Sequence, residues 1–143
     1  MYFEDFRLGM TADIPPVIIE KQKMLEFAKL YDNLPLHTDE EYAKTTPFGG
    51  LIAPGVMSFM SVWSKYLEVD FVGNELLAGK STKIEWFKPV YAEDILKGRA
   101  EVTRTEDRNK KNGLVEITIY AYNQKEELVL TDVTEVIVKR RPE

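Results

Sequence analysis

The chain has a single histidine, His37, and it follows an acid, Asp32, at a spacing of five residues. A neutral imidazole accepts a proton from water, and a neighbouring carboxylate orients that water or stabilises the charge that forms. Between the two lie Asn33 to Leu36, stiffened by Pro35. As a loop, this segment brings both side chains together at a cleft. A glycine-rich turn follows, containing Gly49, Gly50, Pro54 and Gly55, and a helix begins at its end. With no side chain, Gly55 lets a ligand approach its backbone N–H, where the helix dipole favours negative charge. One stretch, Asp32 to Met57, thus carries an acid/base pair and a helix start suited to a developing oxyanion.

Each of these residues also has a plainer reading. A lone loop histidine commonly hydrogen-bonds its own surroundings, and an aspartate near a helix end is an ordinary polar residue. A carboxylate at a helix C-terminus is disfavoured by the macrodipole, however, so helix stability does not account for Asp32. Asp39 reads as part of the first turn of a short helix. Gly49 and Gly50 read as tight turns, and Ser58, Ser61 and Ser64 as small packing residues. The basic groups at Arg104, Arg108, Lys110 and Lys111 and at Lys139, Arg140 and Arg141 read as solvated turns and ends, with a weak signal for a nucleotide phosphate.

The elements that must hold the pair follow from periodicity. Residues 1–20 read as extended and irregular, with Pro15 and Pro16 ahead of an apolar run. Residues 21–31 read as a helix, with Met24, Phe27, Ala28 and Tyr31 on one face and Asn33 and Pro35 as stop signals. A short helix is expected at 39–45, with Thr38 and Glu41 in capping-box spacing. The main helix is expected at 55–68. Val56, Phe59, Met60, Trp63 and Leu67 form its apolar face, and Met57, Val62 and Tyr66 widen it, as in a helix largely surrounded by protein. From residue 80 the period changes to two, through Ile84 and Trp86, Leu96 to Val102, Ile117 to Ala121 and Leu128 to Val138. Asn109–Gly113 and Asn123–Glu126 are turn-like. A buried helix followed by a four-strand meander reads as α+β, an antiparallel sheet folded over one helix.

Composition narrows the function. At 143 residues the chain reads as a single domain, 1–143, with 44% hydrophobic and 30% charged residues. A net charge of −5 argues against nucleic-acid binding. There is no membrane-length apolar run and no N-terminal signal, so a cytoplasmic, membrane-free protein is expected. The absence of cysteine removes thiol nucleophiles, disulfides and cysteine zinc sites, and one histidine excludes a multi-histidine metal site within one chain.

The segment from Asp32 through His37 and the glycine turn to Gly55 and Met57 resembles the signature of the MaoC-like, (R)-specific enoyl-CoA hydratases. Phe3 to Gly9 looks like that family's opening, Trp86 to Asp94 its strand entry after the helix, and Asn123 to Val129 its final hairpin. The resemblance implies a hot-dog fold, a sheet wrapped around the helix at 55–68, and a homodimer binding acyl-CoA along the subunit interface. It implies that Asp32 and His37 activate one water for addition to a trans-2-enoyl thioester, hydroxyl to C3 and proton to C2. The Gly55 N–H then holds the thioester oxygen, and no cofactor or metal is needed beyond the coenzyme A of the substrate. Tyr31, Asn33, Pro54 and Met57 are the expected substrate-binding neighbours. Three positions depart from the family pattern: Tyr31 stands where Gly is usual, Leu34 where Asn is usual, and Pro54 where His is common. Two other readings stay open. Hot-dog thioesterases also take acyl-CoA, often with a carboxylate near the start of the central helix, but Val56 to Lys65 contains no acid. A noncatalytic acyl-CoA-binding module is the other.

Overall fold

A computed structural model describes residues 1–143. Five strands and four α-helices follow a short 3-10 turn at Phe3–Asp5: β1 (Thr11–Ile18), α1 (Lys21–Tyr31), α2 (Pro35–Thr38), α3 (Glu40–Lys44), α4 (Gly55–Val69), β2 (Leu76–Trp86), β3 (Ile95–Asp107), β4 (Asn112–Tyr122) and β5 (Leu128–Lys139). All strand pairs are antiparallel, in the order β1-β3-β4-β5-β2. The α+β expectation holds, with a helix set against one antiparallel sheet.

The strand connectivity differs from a four-strand meander. Only β3, β4 and β5 follow one another across the sheet. β2 crosses over to pair with β5, running from Leu76 opposite Val138 to Trp86 opposite Leu130. Alternation identifies a strand but not its partner. Residues 1–20 are also more regular than expected. They include β1, which pairs with β3 at the sheet edge, and Pro15 and Pro16 fall where its register shifts between Ile14 and Val17. An edge strand tolerates proline at a bulge because no ladder N–H is required there.

The inward face of the sheet sets Val115, Ile117, Ile119 and Ala121 of β4 opposite Val136, Thr134, Asp132 and Leu130 of β5. Most of these side chains are buried with the core, to which Met57, Phe59, Val62 and Tyr66 of α4 contribute. The apolar face expected for α4 is therefore rotated. Val56, Met60 and Leu67 are about half exposed. This flank of α4 is open, and β2 is exposed along nearly its whole length. The helix is covered on one side rather than surrounded. No helix is long and apolar enough to cross a membrane.

Two local differences concern the segment around His37. Asn33–Leu36 is not all loop, since Pro35 opens the one-turn helix α2, where its missing N–H costs nothing. The Thr38 hydroxyl bonds back to the Leu34 carbonyl at 3.1 Å, so the Thr38/Glu41 capping box does not form. Asp39 caps α3 instead, its Oδ1 accepting from the Tyr42 N–H at 3.1 Å.

Candidate active site

Asp32 is the C-cap of α1, and its N–H donates to the Ala28 carbonyl at 2.9 Å. The chain leaves the helix there, and α2 returns His37 to the same place. The Asp32 Oδ2 and His37 Nε2 atoms stand 3.3 Å apart. The imidazole is buried, with 5% of the residue exposed, whereas 40% of the Asp32 side chain meets solvent. On its other side, His37 Nδ1 lies 2.7 Å from the Ile52 carbonyl oxygen. A carbonyl only accepts, so Nδ1 carries the proton, and in the neutral ring Nε2 presents a lone pair. Lone pair and carboxylate thus converge as two acceptors. A water placed between them can donate one hydrogen to each and keep its own lone pair for attack.

The loop carrying Ile52 is fixed by the segment after β2. The Ala53 N–H donates to the Val90 carbonyl at 2.7 Å, Ile52 forms a bridge with Tyr91, and the Tyr91 hydroxyl donates to the Phe48 carbonyl at 2.9 Å. Asp94 steadies Tyr91 in turn, accepting from its N–H at 2.9 Å while also accepting from Gln124 Nε2 at 2.9 Å. Gly49 sits at φ 70° in this loop, a conformation that favours glycine.

Asp32, His37 and Gly55 all line one cleft of about 530 Å³, walled also by Phe48, Val90 and Trp86. The Gly55 N–H has no acceptor within the protein. Its position at the start of a 15-residue helix gives it the partial positive charge of a helix N-terminus. The need for glycine has a different local cause from the one the sequence implied. A Cβ at Gly55 would stand 2.6–2.9 Å from atoms of the Trp86 indole, so a tryptophan, rather than open space, occupies that side.

The four remaining expected neighbours do not line the cleft. Tyr31 is 75% exposed and packs against Phe27 at 5.1 Å between ring centroids. Asn33 is exposed, and Pro54 and Met57 are buried, Met57 within the core. Sequence reasoning missed Trp86, Phe87 and Lys88 as cleft residues. The signal was present in the Trp86–Val90 stretch, read only as a strand entry. No group of three or more acidic, histidine or cysteine side chains is placed to hold a metal ion.

The model of the MaoC-like domain matches residues 5–123. The chain belongs to the MaoC-like family. Its fold is the hot-dog fold of that family's solved structures. The monoamine oxidase regulatory protein of Archaeoglobus fulgidus superposes with a TM-score of 0.94 at 30% identity, over 99% of this chain and 96% of that one. The uncharacterized protein YdeM of Bacillus subtilis is 28% identical over 98% of this chain and 100% of its own length. The mesaconyl-CoA hydratase of Cereibacter sphaeroides is 27% identical over 98% of this chain, which spans 41% of that larger protein. Family membership places the chain with hydratase/dehydratase enzymes, consistent with a pair of acceptors facing a helix N-terminus across one cleft.

Proposed function

We propose that this protein is a hydro-lyase that reversibly hydrates trans-2-enoyl-CoA to (R)-3-hydroxyacyl-CoA. The observation carrying this reading is His37, buried and fixed by Nδ1 on the Ile52 carbonyl, with Nε2 beside the Asp32 carboxylate in the cleft that holds the Gly55 N–H. The similarity to mesaconyl-CoA hydratase, a CoA-thioester hydratase by name, supports the substrate class. The resemblance supplies the (R) hand.

The chemistry balances without a further co-reactant. Water bonds through oxygen to C3, and the C2–C3 π pair moves into the thioester, whose oxygen takes up charge against the Gly55 N–H. His37 Nε2 accepts a proton from the water, and Asp32 stabilises the imidazolium. The enolate then takes that proton from Nε2 at C2, restoring the neutral ring. A preorganised donor at such an oxyanion contributes about 3–4 kcal/mol to a transition state. Incubation with crotonyl-CoA tests the reading. Loss of enoyl absorbance with the thioester intact and (R)-3-hydroxybutyryl-CoA as product is expected. Release of free coenzyme A would indicate a thioesterase, and binding without change an acyl-CoA-binding module.

The working unit is a homodimer. Prolines and a bulge blunt the β1 edge, whereas the β2 edge is unpaired, and Leu76, Leu77, Trp86 and Phe87 are exposed at its two ends. A free strand edge beside apolar surface invites pairing with a second copy around a two-fold axis. Sedimentation at low micromolar concentration should give twice the chain mass; a stable, active monomer would contradict it.

A further inference from the structure

A second cavity, of about 430 Å³, opens at the other end of β2, beside Leu77. Its lining is cationic: Lys110, Lys111 and Asn112 from the turn between β3 and β4, and Lys139, Arg140 and Arg141 from the end of β5, with Glu143 the one acid among them. Acids hold three of these cations. Lys139 pairs with Glu75 at 3.5 Å, Arg140 with Glu4 at 3.2 Å and with Asp107, and Arg141 with Asp5. Lys110 and Lys111 pair with no acid and stand exposed on the turn. The turn beneath them is braced. Asn109 Oδ1 accepts from the Lys111 and Asn112 N–H groups at 2.8 and 3.0 Å, and the Lys111 carbonyl accepts from the Arg140 N–H at 2.8 Å. Two free ammonium groups on a fixed turn, in a chain of net charge −5, mark a place for a polyanionic ligand.

Within one copy this cavity is too far from the cleft to serve it. The cleft sits at the Trp86 end of β2 and the cavity at the Leu77 end. The strand steps between them, at ~3.3 Å each, add up to about 30 Å. The pantetheine arm between a thioester sulfur and the diphosphate of coenzyme A is about a dozen bonds, or about 15 Å when extended. A second copy removes the distance. Antiparallel pairing of the β2 edges about a two-fold axis at Ser81 sets the Leu76–Leu77 end of one copy against the Trp86 end of the other, so that exposed apolar side chains cover one another. It also sets Lys80 opposite Thr82 and Lys83 opposite Gly79, whereas the next register would put Lys80 against Lys83, like charges face to face. The β4 strand then lies three strand spacings from the β2 of the second copy, so the start of β4 stands about 14 Å from that copy's Trp86. That is the length of the pantetheine arm.

We propose that this cavity completes the active site of the other copy: Lys110 and Lys111 of one subunit bind the phosphates of the coenzyme A whose acyl group lies in the cleft of its partner. Such a site rests on the enoyl-CoA and homodimer readings. Each ammonium donates charge-assisted hydrogen bonds to phosphate oxygens. Each active site draws its chemistry from one chain and its hold on the phosphates from the other.

The test uses crotonyl-CoA, crotonyl-pantetheine, which ends before the phosphates, and the double variant Lys110→Ala/Lys111→Ala. With crotonyl-CoA the double variant should raise KM by about tenfold or more at little changed kcat, the range for hydrogen bonds to charged groups. With crotonyl-pantetheine the rise in KM should be far smaller. Hybrid dimers separate the contributions of the two chains. A dimer of one His37→Ala subunit and one double-variant subunit has a single intact cleft, and that cleft faces the lysines of the His37→Ala subunit. Its KM for crotonyl-CoA should return to the wild-type value, at roughly half the wild-type turnover per dimer. A raised KM in this hybrid, or equal effects on both thioesters, would overturn the proposal. If no enoyl thioester is hydrated, calorimetry with free coenzyme A decides. Binding that is lost in the double variant keeps the phosphate site and drops the hydratase reading; no binding, or binding that the double variant leaves unchanged, drops the phosphate site too.

Discussion

Two aspartates in this molecule each sit among hydrogen-bonding groups, and their surroundings could hardly differ more. Asp132 lies on the inward face of β5 with 0% exposure, and both carboxylate oxygens are engaged. Oδ1 accepts from the Thr82 hydroxyl and Oδ2 from the Thr134 hydroxyl at 2.5 Å. Asp32 lies at the cleft, partly in solvent, and faces only the Nε2 of His37, an atom that is itself an acceptor in the neutral ring. The first carboxylate accepts a hydroxyl hydrogen on each oxygen and is enclosed by the core. The second is left with acceptor capacity pointed at a space where a small donor can enter. Burial alone therefore does not tell the two apart; unspent hydrogen-bonding capacity does, together with access.

The difference can be broken most strongly at the cleft. His37→Ala removes the imidazole that takes the water's proton in the proposed reaction and should lower turnover of the enoyl thioester by roughly 10²–10⁴-fold, as for other positioned acid–base groups. Asp32→Asn keeps the shape but loses the charge facing the imidazole, and should fall within the same range. Steady-state kinetics with circular dichroism of the folded variants checks both. Near-normal rates for either would remove the equivalence drawn between this pair and a water-activating site.

Asp132→Asn sharpens the contrast from the other side. Activity should change little, because Asp132 does not line the cleft. Stability should respond to pH. Burial raises the Asp132 pKa above its ordinary value, opposed by the hydroxyls of Thr134 and Thr82. The folded state then binds the proton more tightly than the unfolded chain. The stabilisation linked to that proton is full below the unfolded pKa and is lost as pH rises through the folded one. Relative to Asp132→Asn, the wild-type protein should lose thermal stability as pH rises above about 4, by an amount on the order of a few degrees. Parallel melting curves above that pH would show that the buried charge carries no such linkage.

What the sequence made legible depended on whether a signal was local. The 3.6-residue pattern of α1 and α4 and the alternation in β3 and β4 are local, and the structure bears them out as elements; the Asp32–His37 spacing is local too, and the two side chains stand 3.3 Å apart. The partner of β2 is not local. Leu76–Trp86 pairs with a strand some fifty residues later, and its alternation is the same whichever neighbour it has. The orientation of α4 is hidden from the sequence for a related reason. Val56, Met60 and Leu67 are apolar, and apolar residues facing an open flank look the same in sequence as residues facing a core. Trp86 carries no local signal because its contact is with Gly55, on a different element, whose lack of a side chain it fills. The position of Tyr31 beside Asp32 does not carry its side chain to the cleft, because adjacent residues at a helix end point in different directions, and Tyr31 turns to Phe27.

In the proposed reaction one cleft holds the thioester oxygen on the Gly55 N–H while Asp32 and His37 hold the water. A crystal structure of the protein with a bound 3-hydroxyacyl-CoA product measures this most directly. The thioester oxygen should lie about 3 Å from the Gly55 nitrogen, with the C3 hydroxyl within hydrogen-bond reach of both Asp32 Oδ2 and His37 Nε2. A thioester oxygen more than about 4 Å from that nitrogen with no bridging water, or a hydroxyl remote from both side chains, would contradict the account.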